Sequence, residues 1–217
     1  MNILSLKDVE KIGRDEVLFT GVTFGMNEGD KVALIGRNGC GKSTLLSCIP
    51  GNLYPENGSI VTAKECGISY LPQNPPYNID DTIREHLFNS TSSKLTLIQK
   101  YKEICSQTAA CKDSIPSHLQ KEFDLVSEEM TKRDLWNYES QIESILNTLG
   151  IRDLDRNMGS LSGGMVKKVA LAQVLIDDTG LLLLDEPTNQ LDIQTIAWLE
   201  EYLRTTHRAV LMVTHDR

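Results

Sequence analysis

The sequence predicts an α/β fold, with a mainly parallel sheet at its core and a helical lobe set into it. Three observations carry the prediction. The apolar run Lys31-Val-Ala-Leu-Ile35 leads into the glycine-rich Gly36-Arg-Asn-Gly-Cys-Gly-Lys42-Ser43 and then into Thr44-Leu-Leu-Ser-Cys-Ile49, the order strand, loop, helix. Leu181 to Leu184 are four consecutive leucines, which read as a strand buried on both faces, as strands of parallel sheets are. From Asp81 to Gly150 apolar residues recur at steps of three and four, the helical period.

In chain order, short strands are expected at Ile3 to Leu6, Val17 to Phe24 after the Gly13-Arg-Asp15 turn, Lys31 to Ile35, Ser59 to Val61 and Gly67 to Leu71. The helical segment follows, with Leu119, Phe123, Val126 and Met130 as one stripe and Ile142, Ile145, Leu146 and Leu149 as another. Beyond Gly150 the α/β pattern resumes. A helix is expected over Val166 to Ile176, a strand over Gly180 to Leu184, a helix over Ile193 to Leu203 with Ile196, Leu199 and Leu203 facing inward, and a strand over Ala209 to Val213. Residues 1–80 and 151–217 are therefore expected to form the α/β core, and 81–150 a helical lobe continuing into helix 162–176.

The glycine-rich loop fits the phosphate-binding spacing G-x-x-x-x-G-K-[ST] at each fixed position, which implies a nucleoside triphosphate ligand. Gly36, Arg37, Asn38, Gly39, Cys40 and Gly41 let the backbone curl so that N–H groups point at phosphates. Lys42 would reach the β- and γ-oxygens and the Ser43 hydroxyl would ligate Mg²⁺. Asp185 ends the leucine strand, where ligands of such sheets gather, and is the expected metal partner; Glu186 follows it and could accept a proton from, or orient, an attacking water. Ser162 is placed as the N-cap of the next helix, and with Gly163 and Gly164 it reads either as a second phosphate corner or as an ordinary capped loop.

Taken in order, Gly36 to Ser43, Gln73, Leu161-Ser-Gly-Gly-Met165, Leu181 to Glu186, Asp192 and His215 resemble the nucleotide-binding domain of the ATP-binding cassette (ABC) superfamily. The resemblance covers nearly the whole chain. It implies a P-loop NTPase of ABC type with an antiparallel β subdomain beside the parallel core, ATP and Mg²⁺ as ligands, and ATP hydrolysis. It implies Gln73 as a contact to Mg²⁺ and the attacking water, His215 as the switch residue on the γ-phosphate, Thr44 on the α-phosphate, and Ile12 where an aromatic side chain often stacks on adenine. It also implies that Ser162, Gly163 and Gly164 close over the nucleotide of a second cassette, with Asp192 coupling the halves. Lys42, Gln73, Glu186 and His215 are then the hydrolytic residues, and Ser43, Gln73 and Asp185 the metal ligands.

Asp185-Glu-Pro-Thr-Asn-Gln-Leu-Asp192 and Asp134-Leu-Trp-Asn-Tyr-Glu139 narrow the resemblance to the ABC-F subfamily, in its Uup-like branch. That implies a soluble, two-cassette ATPase acting on ribosomes, with 95–130 as its arm or a short equivalent. Met165 and Gln190 depart from the commonest residues, and the aliphatic Ile12 offers adenine no π-face. Because the chain stops two residues after His215, we expect a truncated cassette, the first of a longer protein.

Composition sets bounds. The 217 residues, 40% apolar, can bury one core, and no run approaches the ~20 apolar residues of a membrane span. The five cysteines show no Cys-x-x-Cys pair, so neither a disulfide framework nor a zinc site is indicated and a reducing cytoplasm fits. Cys40 reads as a small residue in a tight turn or as a modifiable thiol. The net charge of −8 opposes broad attraction to nucleic acid; the lysines Lys94, Lys100 and Lys102 and the pairs Lys132-Arg133 and Lys167-Lys168 read as solvated helix faces, so RNA contact follows from the resemblance alone. Three function classes result: an ABC-F ATPase in translation, the ATP-binding subunit of a membrane transporter, and a regulatory nucleotide-binding module.

Overall fold

The computed structural model describes residues 1–13, 16–88, 93–110, 116–132, 135–177 and 179–214. Strands β1 (Asn2–Ile12), β2 (Val17–Asn27) and β4 (Asn57–Thr62) form an antiparallel sheet in the order β2-β1-β4. Strands β3 (Lys31–Leu34), β5 (Ile68–Leu71), β6 (Leu181–Asp185) and β7 (Ala209–Val213) form a parallel sheet in the order β3-β7-β6-β5. Parallel and antiparallel sheets thus stand side by side, as the resemblance implies for a P-loop cassette.

Leucine content explains the position of β6. All four leucines are fully buried; Leu181 and Leu183 join a core with Leu4, Leu6, Leu45 and Leu46, whereas Leu182 and Leu184 face a core with Leu171, Val169 and Leu149. Side chains alternate across a strand, so one strand serves two cores. In register, Asp185 lies beside Val213, which sets the carboxylate at the strand's C-terminal end.

Helix α1 (Lys42–Cys48) follows the glycine loop. The helical region contains α2 (Ile83–Phe88), α3 (Ser93–Ala110), α4 (Ser117–Lys132) and α5 (Tyr138–Thr148). Helix α2 opens with a capping box: Thr82 N–H donates to Glu85 at 2.8 Å and Glu85 N–H donates back to the Thr82 hydroxyl at 3.2 Å. Leu119, Val126, Met130, Ile142, Ile145, Leu146 and Leu149 are buried, so the helical stripes face the core. Helices α3 and α4 pack through Tyr101 against Phe123, 5.7 Å between centroids, and through a 2.9 Å ion pair between Lys100 and Glu122.

Helix α6 (Gly163–Ile176) begins three residues before the expected Val166. Its N-cap is Ser162, whose Oγ accepts from Met165 N–H at 3.3 Å. The Arg208 guanidinium donates to Val174 O and Leu175 O near the other end of α6, and to Thr179 O beyond it, at 2.7 to 3.2 Å. Helix α7 (Ile193–Thr205) is capped by Asp192, which accepts from Thr195 N–H at 2.9 Å.

Candidate nucleotide site

The glycine loop owes its shape to backbone angles open to glycine. Gly39 has φ 79° and Gly41 φ 86°, in the left-handed region. Gly41 also lies tight against β2, where an added Cβ would come 2.7 Å from Phe19 Cδ1 and 3.0 Å from Leu18 Cβ. The Lys42 ammonium is folded under the loop and donates to Gly36 O and Arg37 O, both at 2.9 Å. Beside the loop opens a cavity of about 480 Å³ lined by Leu18, Asn38, Gly39, Gly41, Lys42, Ser43, Thr44, Gln73 and Glu186. Residues from β2, the loop, α1, the β5 end and the β6 end therefore converge on one space large enough for a small polyanion.

Asp185 lies directly behind this space, 1% exposed. Burial pushes its carboxyl above the usual carboxylate range, and the neighbouring Glu186 charge pushes the same way; a hydrogen bond from Ser43 and the Lys167 and Lys42 charges oppose them. Among the described residues its Oδ1 is buried with no hydrogen-bond partner. A buried acceptor left in this state costs about 1–3 kcal/mol, which a cation at that point would relieve.

Glu186 is held on several sides. Its Oε2 accepts from Gln73 Nε2 at 2.8 Å and also from Asn189 Nδ2. Its backbone is left-handed, φ 49°, and its N–H donates to Val213 O at 3.0 Å while its carbonyl accepts from Lys167 Nζ at 2.8 Å. Such a non-glycine conformation costs on the order of 1–3 kcal/mol and persists where neighbours over-determine it.

The other expected site residues fall as follows. Cys40 is exposed, and Gly36 lies so close to it that an added Cβ would meet its Sγ at 3.0 Å. Ser162, Gly163 and Gly164 are not in the cavity lining; the two glycines face Gln190, with room of 3.8 and 3.5 Å for a Cβ. Besides capping α7, Asp192 pairs with Lys168 at 2.7 Å, and these bonds hold its carboxyl well below the usual range. Ile12 is 47% exposed and its N–H donates to Glu56 at 3.0 Å; Leu18, not Ile12, lines the cavity. His215 lies outside the described residues, as do Asp134 and Arg133 of the segments discussed above.

Sequence reasoning missed Leu18, Asn189 and Lys167. The reading of Lys167-Lys168 as a solvated pair is corrected for Lys167, which is 4% exposed. Its burial lowers its pKa, partly offset by the Glu186 and Asp185 charges. The available signal was its place one residue after buried Val166 and two before buried Val169, in a helix apolar nearly all round.

Comparison with known proteins points to one family. The family model described as "ABC transporter" matches residues 19–189. The chain is 36% identical over its full length to the uncharacterized ABC transporter ATP-binding protein YfmR of Bacillus subtilis, covering 34% of it. It is 34% identical over 99% of its length to the energy-dependent translational throttle protein EttA of Mycobacterium tuberculosis, covering 38% of that protein. With the ATP-binding protein Uup of Escherichia coli it shares 31% identity over its full length and covers 34%. The chain thus spans about a third of the length of these relatives. Among solved structures, an ATP-binding subunit of an ABC transporter superposes with a TM-score of 0.69 at 25% identity, over 98% of this chain and 79% of that one. A loop shaped for phosphates, a buried carboxylate facing it and a family match over most of the length lead to one conclusion: the chain belongs to the ABC transporter family, as an ATP-binding cassette most like those of the ABC-F proteins.

Proposed function

We propose that this cassette binds ATP with Mg²⁺ and hydrolyses it at the cavity between the glycine loop and Asp185-Glu186, working with a second cassette in a soluble, cytoplasmic ABC-F protein that acts on the ribosome. The observation that carries the hydrolytic reading is the convergence of Lys42, Ser43, Gln73 and Glu186 on one space with Asp185 behind it. Its donor set, a hydroxyl, an amide and a buried carboxylate with an unpartnered oxygen, suits a hard, oxygen-seeking cation. Ser43, Gln73 and Asp185 would hold Mg²⁺, which supplies neutralisation of charge on the β- and γ-phosphates.

The chain's own residues do the rest. The loop N–H groups and the Lys42 ammonium bind the phosphates, Lys42 exchanging its carbonyl partners for phosphate oxygens. Glu186, fixed by Gln73 and Asn189, orients the attacking water and takes its proton. His215 is proposed to hold the γ-phosphate, Thr44 the α-phosphate and Leu18 the base side of the nucleotide, with Ile12 nearby on the same hairpin. Ser162, Gly163 and Gly164 would close on the nucleotide of the second cassette, with Asp192 at the junction.

The translational role is supported by the relatives: one is named a translational throttle protein, others are Uup, and another is ABC transporter F family member 5 of Arabidopsis thaliana, 31% identical over 99% of this chain and 32% of its own length. Among the described residues no helix is long and apolar enough to cross a membrane. The alternative, a transporter's ATP-binding subunit, is favoured by the likeness to such a subunit's structure and by the transporter names that the family model and YfmR carry. A Glu186→Gln variant of the full-length protein should bind ATP as the parent does, turn it over at least ~100-fold more slowly, and stay on ribosomes during sedimentation with ATP. Unchanged turnover removes Glu186 from its role, and absence of ribosome retention removes the translational reading.

A further inference from the structure

The segment from Glu186 to Asp192 joins the hydrolytic carboxylate to the cap of α7, and α6 touches it along its length. Lys167 Nζ donates to Glu186 O at 2.8 Å and Lys168 Nζ pairs with Asp192 at 2.7 Å. Gly163 and Gly164 lie against Gln190, the segment's second left-handed non-glycine residue, φ 67°. The two lysines differ in setting: the Lys168–Asp192 pair is partly exposed, whereas Lys167 is 4% exposed among apolar neighbours. An ammonium so placed is costly unless it is hydrogen-bonded. Here it reaches the one carbonyl whose orientation sets the strained backbone of Glu186.

We infer that Lys167 is a positioning residue for hydrolysis: by gripping the Glu186 carbonyl it ties the aim of the Glu186 carboxylate to α6, the helix that begins with Ser162-Gly163-Gly164. The Glu186 backbone is thereby fixed from two other elements, its N–H by β7 through Val213 O and its carbonyl by α6, beside the local 3.3 Å bond from Asn189 N–H to the same carbonyl. A rotation of α6 that moves Lys167 turns the carboxylate, so the state of the Ser-Gly-Gly corner is transmitted within the same chain to its hydrolytic group. Lys42, by contrast, binds loop carbonyls and phosphate, and Lys167 makes no part of the cavity lining. Loss of Lys167 should therefore spare ATP binding and reduce the rate of cleavage.

The inference rests on the proposed role of Glu186, and the experiment separates the two. In the full-length protein, Lys167→Met, Lys167→Arg, Glu186→Gln and the double variant Lys167→Met/Glu186→Gln are compared in ATPase turnover and in equilibrium binding of a fluorescent ATP analogue. Lys167→Met keeps the aliphatic bulk and removes the donor. It is expected to lower kcat about tenfold to a hundredfold, since each tenfold is about 1.4 kcal/mol and the buried Glu186 carbonyl loses its charged donor and keeps the 3.3 Å bond from Asn189 N–H, with nucleotide affinity within about twofold. In the Glu186→Gln background the same change should add almost nothing, because both act through one group. Lys167→Arg, which retains a donor, should recover part of the lost kcat. If Lys167→Met loses ATP affinity, Lys167→Arg decides: reduced kcat at parental affinity supports the inference and parallel losses overturn it. Parental kcat in Lys167→Met, or a full further loss in the Glu186→Gln background, also overturns it. If Glu186→Gln itself turns over normally, the proposed function fails first.

Discussion

Gly39 and Gly41 adopt nearly the same left-handed conformation, φ 79° and 86°, but in different surroundings. A Cβ on Gly39 would meet nothing within 4 Å, whereas one on Gly41 would meet Phe19 Cδ1 at 2.7 Å, Leu18 Cβ at 3.0 Å and Phe19 Cε1 at 3.1 Å. Alanine at either position carries the left-handed penalty, about 1–2 kcal/mol, and the same unfolded-state entropy gain, about 0.4–1 kcal/mol; these cancel in the comparison. Gly41→Ala alone adds overpacking, about 1–3 kcal/mol, so it should be the less stable variant by that amount. In a chain of this size a difference of 1 kcal/mol is about 2–4 °C in Tm. Thermal unfolding of both variants measures the gap, and Phe19→Ala introduced into each should narrow it, leaving only the Leu18 contact. Equal melting temperatures for Gly39→Ala and Gly41→Ala, or a gap indifferent to Phe19→Ala, would refute the reasoning.

Two further outcomes are expected. Because burial raises the Asp185 pKa in the folded chain, the folded state binds the proton more tightly than the unfolded state, so this group's favourable contribution is present in acid and is lost as pH rises through the raised value. Asp185→Asn should therefore melt higher than the parent near neutral pH without Mg²⁺ or nucleotide, the difference shrinking toward pH ~4; a pH-independent difference would count against it. Leu18→Ala should weaken ATP binding by about tenfold, a share of the ~1.5–3 kcal/mol for burying a leucine, while Ile12→Ala changes it by less than about twofold; titration with labelled ATP would show the reverse order if Ile12 were the base contact.

The strands and helices were legible because their periods are written in apolar residues: four leucines between Gly180 and Pro187 read as a doubly buried strand, and Leu119, Val126 and Met130 repeat at the helical step. The glycine loop and the Asp185-Glu186 pair were legible because each needs particular residue types at fixed spacing. What was hidden depends on contacts between distant segments. Lys167 reads as surface until the segment after β6 is laid over the first turns of α6. Leu18 reads as an ordinary strand residue, because the register between β1 and β2 shifts at Val9, Lys11 and Ile12, and irregular pairing of this kind re-aims side chains beyond what simple alternation foresees. The left-handed backbone of Glu186 has no signature in the sequence, since glutamate rarely adopts it.

The leucine strand gives the molecule a single seam. Leu181 and Leu183 belong to the half that carries the glycine loop, Leu182 and Leu184 to the half that carries the helices, and Asp185 is the next residue along. Neither half can loosen without uncovering a face of β6, so they should melt together rather than in sequence. The carboxylate at its tip is moored to both halves, where a disturbance starting in either one must arrive.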